Sequence, residues 1–262
     1  YQATSSLAGT RIKTDLRDLG AAISVLTQEF IQDSGSTGIG DLLVYAPGAE
    51  VGGVYGNFTN STFDRGRPDQ QTNRTNPEGN TRIRGLVSAE LTRDYFSTDF
   101  SFDSFNTERV DISRGPNSLL FGVGSPGGVV NFSLKQPTFA DNRYEFSLRV
   151  GQRGSHREIA DLNVIVVPRR LAARISLLND RENFRQEPAY EKDRRFYASV
   201  EGVLREGKQL TGFLGSTKLR ANVELAQVTT RPPTVIAPVD NIRDWYLVPD
   251  AAAITAQSGE TA

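Results

Sequence analysis

Gly122-Val123-Gly124-Ser125-Pro126-Gly127 has the spacing G-x-G-x-x-G. In dinucleotide-binding folds that spacing turns a strand onto a helix whose N-terminus faces a pyrophosphate. Here the surroundings defeat it. Pro126 lies inside the motif, and Gly128-Val129-Val130-Asn131-Phe132 continues as a β-branched, aromatic strand. The glycines are read as turn residues. Other reactive side chains are sparse. The chain has one histidine, His156, and no cysteine, which excludes thiolate ligands, disulfides, a multi-His metal site and a second catalytic imidazole. His156 falls in Arg153–Arg157, a short connection between strands, where nothing rigid orients it as a triad base. The Asp and Glu residues show no paired spacing for acid–base work. No catalytic, cofactor-binding or metal-binding residue is assigned; the chain reads as a non-enzyme with no cofactor.

The elements that hold these residues are clearer than any chemistry. Val110 and Ile112 alternate with Asp111 and Ser113 as a half-buried strand, stopped by Gly115-Pro116. Asn117–Phe121 reads as one helical turn and Val129–Leu134 as the returning strand. Upstream, Ile23–Leu26 reads as a strand. Thr27 is a plausible N-cap for a helix through Asp33, with Gly35 as its left-handed terminator. Ser36-Thr37 can cap a second helix, Ile39–Tyr45, that stops before Pro47. Gly48–Tyr55 is extended, and Thr81–Leu86 and Leu91–Phe96 read as strands.

Between them, Gly56–Asn80 loses all apolar pattern and is a functional or disordered loop. Its N-x-S/T triplets at Asn57, Asn60 and Asn73 are read as asparagine-rich loop chemistry rather than glycosylation sites. Phe96, Phe100, Phe102 and Phe105 sit among Ser, Thr and Asp. Two readings stay open for them: a hydrophobic patch that tucks a loop onto the domain, or an aromatic ligand platform.

After Pro137 the texture changes to period two. Tyr144, Phe146, Leu148 and Val150 alternate with Arg143, Glu145, Ser147 and Arg149. Four further runs come after it, around Ala160–Val166, Leu171–Leu177, Phe196–Leu204 and Leu219–Leu225. Each is about as long as a tilted strand needs to cross a bilayer. Pro168-Arg169-Arg170 is a tight connection, whereas Asn179–Arg194 is read as a long charged loop and Thr229 onward as a longer one. Short turns at one end and long loops at the other are the habit of outer-membrane barrels. A soluble antiparallel sheet with one wet face would show the same alternation. No run of apolar residues reaches the length of a transmembrane helix. The formal charge is −1, with scattered basic residues, which gives no case for nucleic acid.

The stretch Glu108–Pro137, ERVDISRGPNSLLFGVGSPGGVVNFSLKQP, resembles the signature that closes the plug domain of TonB-dependent outer-membrane receptors. Ile83-Arg84-Gly85-Leu86 is similar to a second motif of that family, and TDLRDLGAAISVLTQEFIQDSG with Asp41–Val51 to the plug's opening strand, helix and Pro-Gly turn. The resemblance implies a fold class: an α+β plug domain followed by antiparallel β strands of an incomplete transmembrane β-barrel. Residues 1–8 would be a leader, 9–137 the plug, and 138–262 the truncated N-terminal part of a barrel that closes at about 22 strands in related transporters. The chain opens on Tyr1 and has no methionine; it is expected to be a fragment, with any secretory signal upstream.

The resemblance alone also implies a function, partners and site residues. The function is TonB-dependent import of a scarce bulky solute, such as a ferric siderophore, across a Gram-negative outer membrane, with the plug gating the lumen. The partners are the inner-membrane TonB complex, reached by a leader mostly upstream of this chain, outer-membrane lipid and the extracellular solute. Arg84 and Arg114 hold plug to barrel by meeting carboxylates on later strands. Ser88, Ala89, Glu90, Phe100, Phe102 and Phe105 are the candidate solute contacts, facing outward. The alternatives are a TonB-linked surface signalling receptor and a soluble nucleotide-dependent enzyme.

Overall fold

The computed structural model describes residues 5–6, 14–15, 22–51, 81–84, 89–115, 125–205 and 217–231. The loop 56–80, Ser88, the turn 117–121, Gly122 and Gly124 lie outside them. Two short strands, β1 (Ser5–Ser6) and β2 (Thr14–Asp15), pair with each other. Strand β3 (Ala22–Thr27) leads into helix α1 (Gln28–Ser34). Its start and stop are chemical. Thr27 is extended and its Oγ1 accepts the Phe30 N–H at 3.4 Å. Gly35 ends the helix at φ 68°, where a Cβ would be strained, and its N–H returns to the Gln32 carbonyl.

Helix α2 (Ile39–Leu43) starts at Ile39 as expected and ends two residues short of Tyr45, and its N-cap is Gly38 rather than Ser36 or Thr37. The Asp41 carboxylate reaches back to accept the Thr37 and Gly38 N–H groups, both at 3.1 Å, and the Thr37 hydroxyl at 3.2 Å. A side chain inside the first turn therefore does the capping, and its charge also suits the helix N-terminus.

Strand β4 (Ala49–Val51) pairs with β5 (Thr81–Ile83), which ends at Arg84 with φ 55°. Strand β6 (Glu90–Arg93) turns through Asp94 and Tyr95, at φ 48° and 68°, into β7 (Phe96–Ser97). Two successive positive φ values suit the right-handed twist of a hairpin. Asn131 Oδ1 holds that turn, accepting the Tyr95 N–H at 2.6 Å and the Thr92 hydroxyl at 3.0 Å. The single run expected over Leu91–Phe96 is thus two strands. A 3-10 turn, Ser104–Asn106, precedes β8 (Thr107–Arg114), and β9 (Val129–Leu134) returns beside it.

These strands form one sheet in the order β3-β8-β9-β6-β7, antiparallel except for the parallel pair β6–β9. Val110, Ile112, Val130 and Phe132 line one face, and Ile31, Ile39, Leu42 and Leu43 of the two helices pack over it. Where β9 starts, Gly128 sits at φ 115°, and a Cβ there would fall 2.0 Å from the Ser113 carbonyl oxygen. Only glycine lets β9 enter the sheet so close to β8.

The rest of the described chain is a meander of five neighbouring antiparallel strands. They are β10 (Arg143–Val150), β11 (His156–Val167), β12 (Leu171–Asn183), β13 (Tyr190–Arg205) and β14 (Thr217–Arg231). The sheet is open: β10 and β14 are its two edges. The expected long loop Asn179–Arg194 is corrected. Pairing continues to Asn183↔Tyr190, so only residues 184–189 connect the strands. Asn179-Asp180-Arg181-Glu182-Asn183 is polar on both faces, so the alternation fades while the backbone ladder runs on.

Candidate functional site

The alternation sorts β10–β14 into two unlike faces. One carries Phe146, Leu148, Val164, Ile175, Val200 and Val223, all exposed. The other packs against the N-terminal domain and is buried although mostly polar: Arg157, Asp161 and Asn163 on β11, Ser176 on β12, and Asp193, Arg195, Tyr197, Ser199 and Glu201 on β13. Charges this deep must be paired. Some pair within the sheet, Asp193 with Arg195 and Glu201 with Lys218 and Arg220, and the contacts made to the N-terminal domain fall into three groups.

At the end near residues 184–189, the 3-10 turn presents Asp103 to Arg157. Arg157 Nη2 donates to Oδ1 at 2.6 Å and Nη1 to Oδ2 at 3.0 Å, a two-pronged contact. Arg157 Nη1 also donates to Asp180. Beside it, Arg195 donates to the Ser101 carbonyl at 2.6 Å and the Ser101 hydroxyl at 2.8 Å while paired with Asp193.

In the middle, Glu224 of β14 accepts from Arg93 Nη1 and from Asn106 Nδ2, each at 2.6 Å, with Arg195 Nη1 3.5 Å away. Phe100 lies beneath the Arg93 and Arg195 guanidinium groups, at 4.7 and 5.8 Å from its ring centre.

Where the domain exits into β10, Lys135 Nζ meets Asp161 at 2.8 Å, and Asp161 is shared with Arg174 and the Ser176 hydroxyl. The Tyr197 hydroxyl donates to the Lys135 carbonyl at 2.8 Å. Asn163 donates to the Thr138 and Asp141 carbonyls and accepts the Thr138 N–H. Between the polar groups, Phe105 and Leu134 pack with Leu178 and Tyr197 in a second small core. Within the central group, Arg93 Nε and Glu224 Oε1 are buried without a hydrogen-bond partner among the described residues.

The sequence-predicted residues fall in different places. Arg84 is exposed, and its guanidinium lies over Gly115, next to Arg114. Arg114 donates to the Ser24 hydroxyl, and its Nε has no hydrogen-bond partner among the described residues. Burial and then the Arg84 charge both push the Arg114 guanidinium below its usual pKa. So the two arginines come together, and neither meets a carboxylate among the described residues of β10–β14.

Ala89 is buried in the main core, and Glu90 accepts from the Ser97 hydroxyl. Phe102 stacks on Phe132 with ring centres 4.3 Å apart, and Phe105 is 1% exposed. The outward platform is therefore corrected for Ala89, Phe102 and Phe105: they are interior, because each gains more from apolar contact than from solvent. Phe100 is half-buried, and Phe96 is the exposed ring of the group at 78%.

Sequence reasoning did not single out Asp103, Arg157, Lys135, Asp161, Arg174, Arg195 or Glu224 as docking groups. For Arg157, Asp161, Arg174, Arg195 and Glu224 the available signal was parity, since they occupy the strand positions opposite the apolar face; Asp103 and Lys135 lie outside the strands and had none. A cavity of about 390 Å³ opens beside Asp103, between Ser101 and the acidic ends of β12 and β13 (Asp180, Glu182, Glu191). Among the described residues no His, Cys, Asp or Glu group has the geometry to hold a metal ion.

Comparison with known proteins agrees with this architecture. The family model described as the TonB-dependent Receptor Plug Domain matches residues 15–129. The chain is similar to the Metal-pseudopaline receptor CntO of Pseudomonas aeruginosa, 30% identical over 163 residues, which cover 62% of this chain and 21% of that one. It is also similar to the Ferrichrome outer membrane transporter/phage receptor of Escherichia coli K12, 30% identical over 140 residues, 52% of this chain and 17% of the other. The chain therefore spans about a fifth of the length of these relatives. Among solved structures, the open form of the Ferric-Catecholate import receptor Fiu from E. coli K12 aligns with TM-score 0.62 and 18% identity, over 83% of this chain and 28% of that one. The alcaligin outer membrane receptor FauA from Bordetella pertussis aligns with TM-score 0.61 and 25% identity, over 78% and 33%.

Proposed function

We propose, from the premise that this chain belongs to the TonB-dependent receptors of the Gram-negative outer membrane and carries their plug domain with the first barrel strands, that the complete protein imports a scarce, bulky solute. Ferric siderophores are the substrate class favoured, because the similar receptors are named for pseudopaline–metal, ferrichrome and catecholate ligands. One observation carries the reading. The same five strands offer an apolar face outward and a charged face inward, and the inward Arg157, Asp161, Arg195 and Glu224 are met by plug residues. A wall built this way is sealed to lipid on one side and occluded on the other.

An outer membrane has no nucleotide supply, so the work of opening would come mechanically from the inner-membrane TonB complex through the plug's leader. Arg84 and Arg114 fit the docking role: two adjacent guanidinium groups need an anion, and carboxylates on strands beyond Arg231 would supply it. Ser88, Glu90 and Phe100 remain the solute contacts of this proposal.

The test is uptake. A strain lacking the complete receptor should fail to accumulate radiolabelled iron from one siderophore of a panel. The intact gene should restore it, but not in a background without the TonB complex. Restoration independent of that complex would remove the energised-import reading.

A further inference from the structure

On the outward face, Phe146, Ala160, Leu177, Phe196 and Leu225 form the last wholly apolar row of the band. The next outward row, Leu148, Glu158, Asn179, Arg194 and Gln227, is a polar seam. The strands run on past it toward the connections 151–155 and 184–189, opposite the tight turn at 168–170. Longer connections mark the external end of an outer-membrane barrel. On the inward face of this extension, carboxylates stand directly opposite each other across β12 and β13: Asp180 faces Asp193, and Glu182 faces Glu191. Like charges placed so destabilise a sheet.

The cavity of about 390 Å³ beside Asp103 lies between these pairs and the plug. The charges around it are unbalanced. Arg157 is shared by Asp103 and Asp180, and Arg195 is paired with Asp193. Glu182 and Glu191 make no hydrogen bond or ion pair among the described residues. Strand β14 brings the uncharged Val228 and Thr230 to this side. The plug brings two more acids, Asp99 and Asp103, with Asp41 behind them on the N–H groups of Thr37 and Gly38. Arg149 and Arg153 line the adjoining cavity beside Glu182, and Arg149 donates to the Gly35 carbonyl at 3.0 Å. Glu191 is half-buried and lies three rows past the seam, outside the apolar band. Burial, and then the charges of Asp193, Glu182 and Asp180, push its carboxyl up to about 7, which Arg195 offsets only in part.

We propose that Glu182 and Glu191 form a proton latch for the plug. One proton on the pair lets this corner of the plug seat against the wall. Its loss to the external medium sets an extra negative charge against Asp99 and Asp103 and loosens the corner. The plug shields Glu191 from water, so its carboxyl holds a proton more tightly in the docked state than in the released one. Protonation therefore favours docking, and that contribution is lost as pH rises through about 7. The latch concerns how the plug is held, whichever solute the complete receptor carries, and does not rest on the import reading.

The test is plug release from the complete receptor in urea, read by protease access to the plug at about pH 5.5 and about pH 8. Docking should be about tenfold more favourable at the lower pH, the linkage of a carboxyl whose pKa falls by about one on release. Glu191→Gln keeps the shape and removes the charge. At the higher pH it should dock nearly as firmly as the unaltered receptor does at the lower, any remainder being the contribution of Asp94. Glu182→Gln removes the opposing charge and should move the midpoint of the profile toward the ordinary carboxyl value of 4.5. Asp141→Asn, an exposed position toward the opposite end, should leave the profile intact. Equal docking at both pH values in the unaltered receptor overturns the latch. So does an unchanged profile in both glutamine variants, or a loss of the same size in Asp141→Asn. Weaker docking of Glu191→Gln at both pH values also overturns it, since Glu191 would then be a structural contact and not a titrating one.

Discussion

Asp103, at the start of a 3-10 turn in the plug, is gripped by both terminal nitrogens of Arg157 on β11, at 2.6 and 3.0 Å, with both side chains buried. This is a fork-to-fork contact between two units far apart in sequence, so it fixes orientation as well as distance. Asp103 also caps its own turn by accepting the Phe105 N–H at 2.8 Å. Docking and local folding therefore share one carboxylate.

Removing one partner of a buried pair strands the other charge. Asp103→Ala in the complete receptor is expected to weaken plug docking by roughly 3–5 kcal/mol. Arg157→Met is expected to cost at least as much in docking, since it strands the Asp180 carboxylate as well as Asp103. Urea titration of plug release, followed by protease access to the plug and run as a double-mutant cycle, measures the coupling. Additive effects would show that the pair does not hold the interface.

Asp94 supplies a pH signature inside the plug. Burial raises its pKa above the ordinary 3.8, and the accepted Leu134 N–H, which lowers it, does not fully compensate. A raised carboxyl pKa means that the folded state binds more protons, so stability falls as pH rises from about 3.8 through the folded value. Asp94→Asn keeps an acceptor oxygen and tolerates φ 48°. It should raise the melting temperature at pH 7, with the gain vanishing below the ordinary carboxyl pKa. A gain that persists unchanged at pH 3 would assign the effect to the turn rather than to the charge.

The register refines the depth of each lipid-facing side chain. Ile175 sits mid-band, between Leu162 and Ala198, whereas Leu148 pairs with Glu158 at the polar seam. Ile175→Arg is expected to cost about 2–4 kcal/mol in refolding into bilayers, and Leu148→Arg only about 0–1 kcal/mol. Equal penalties would misplace the membrane on these strands.

The main apolar core is drawn entirely from plug residues, Ile31 to Phe132. Residues 9–137 expressed alone are therefore expected to be soluble and folded, while 138–262 alone should aggregate through its open edges and apolar face. Circular dichroism and size exclusion of the two halves check this. A monomeric, soluble 138–262 would make the five strands an ordinary soluble sheet.

Local chemistry was legible in the sequence where neighbours along the chain decide it. Thr27 and Gly35 bracket α1 because a cap bonds within its own turn, and the alternation Tyr144, Phe146, Leu148 fixes a face because side chains of a strand repeat every two residues. The turn glycines around Ser125 needed only the failure of a helix to follow them.

What the tertiary structure decided is which partner each buried charge meets. Asp103 and Arg157 are 54 positions apart, and Arg93 and Glu224 are 131 apart; no local pattern encodes such a pairing. Parity puts Arg157, Asp161, Arg195 and Glu224 on the face opposite the apolar one, but water and a plug are equally polar destinations for them. The same limit hid the fate of Phe102 and Phe105. A ring among Ser and Asp residues is exposed or interior according to what packs over it, and here Phe132 and the inner wall of the sheet do. Burial depends on the surfaces that converge in space, so the docking network exists only once the plug and the strands have met.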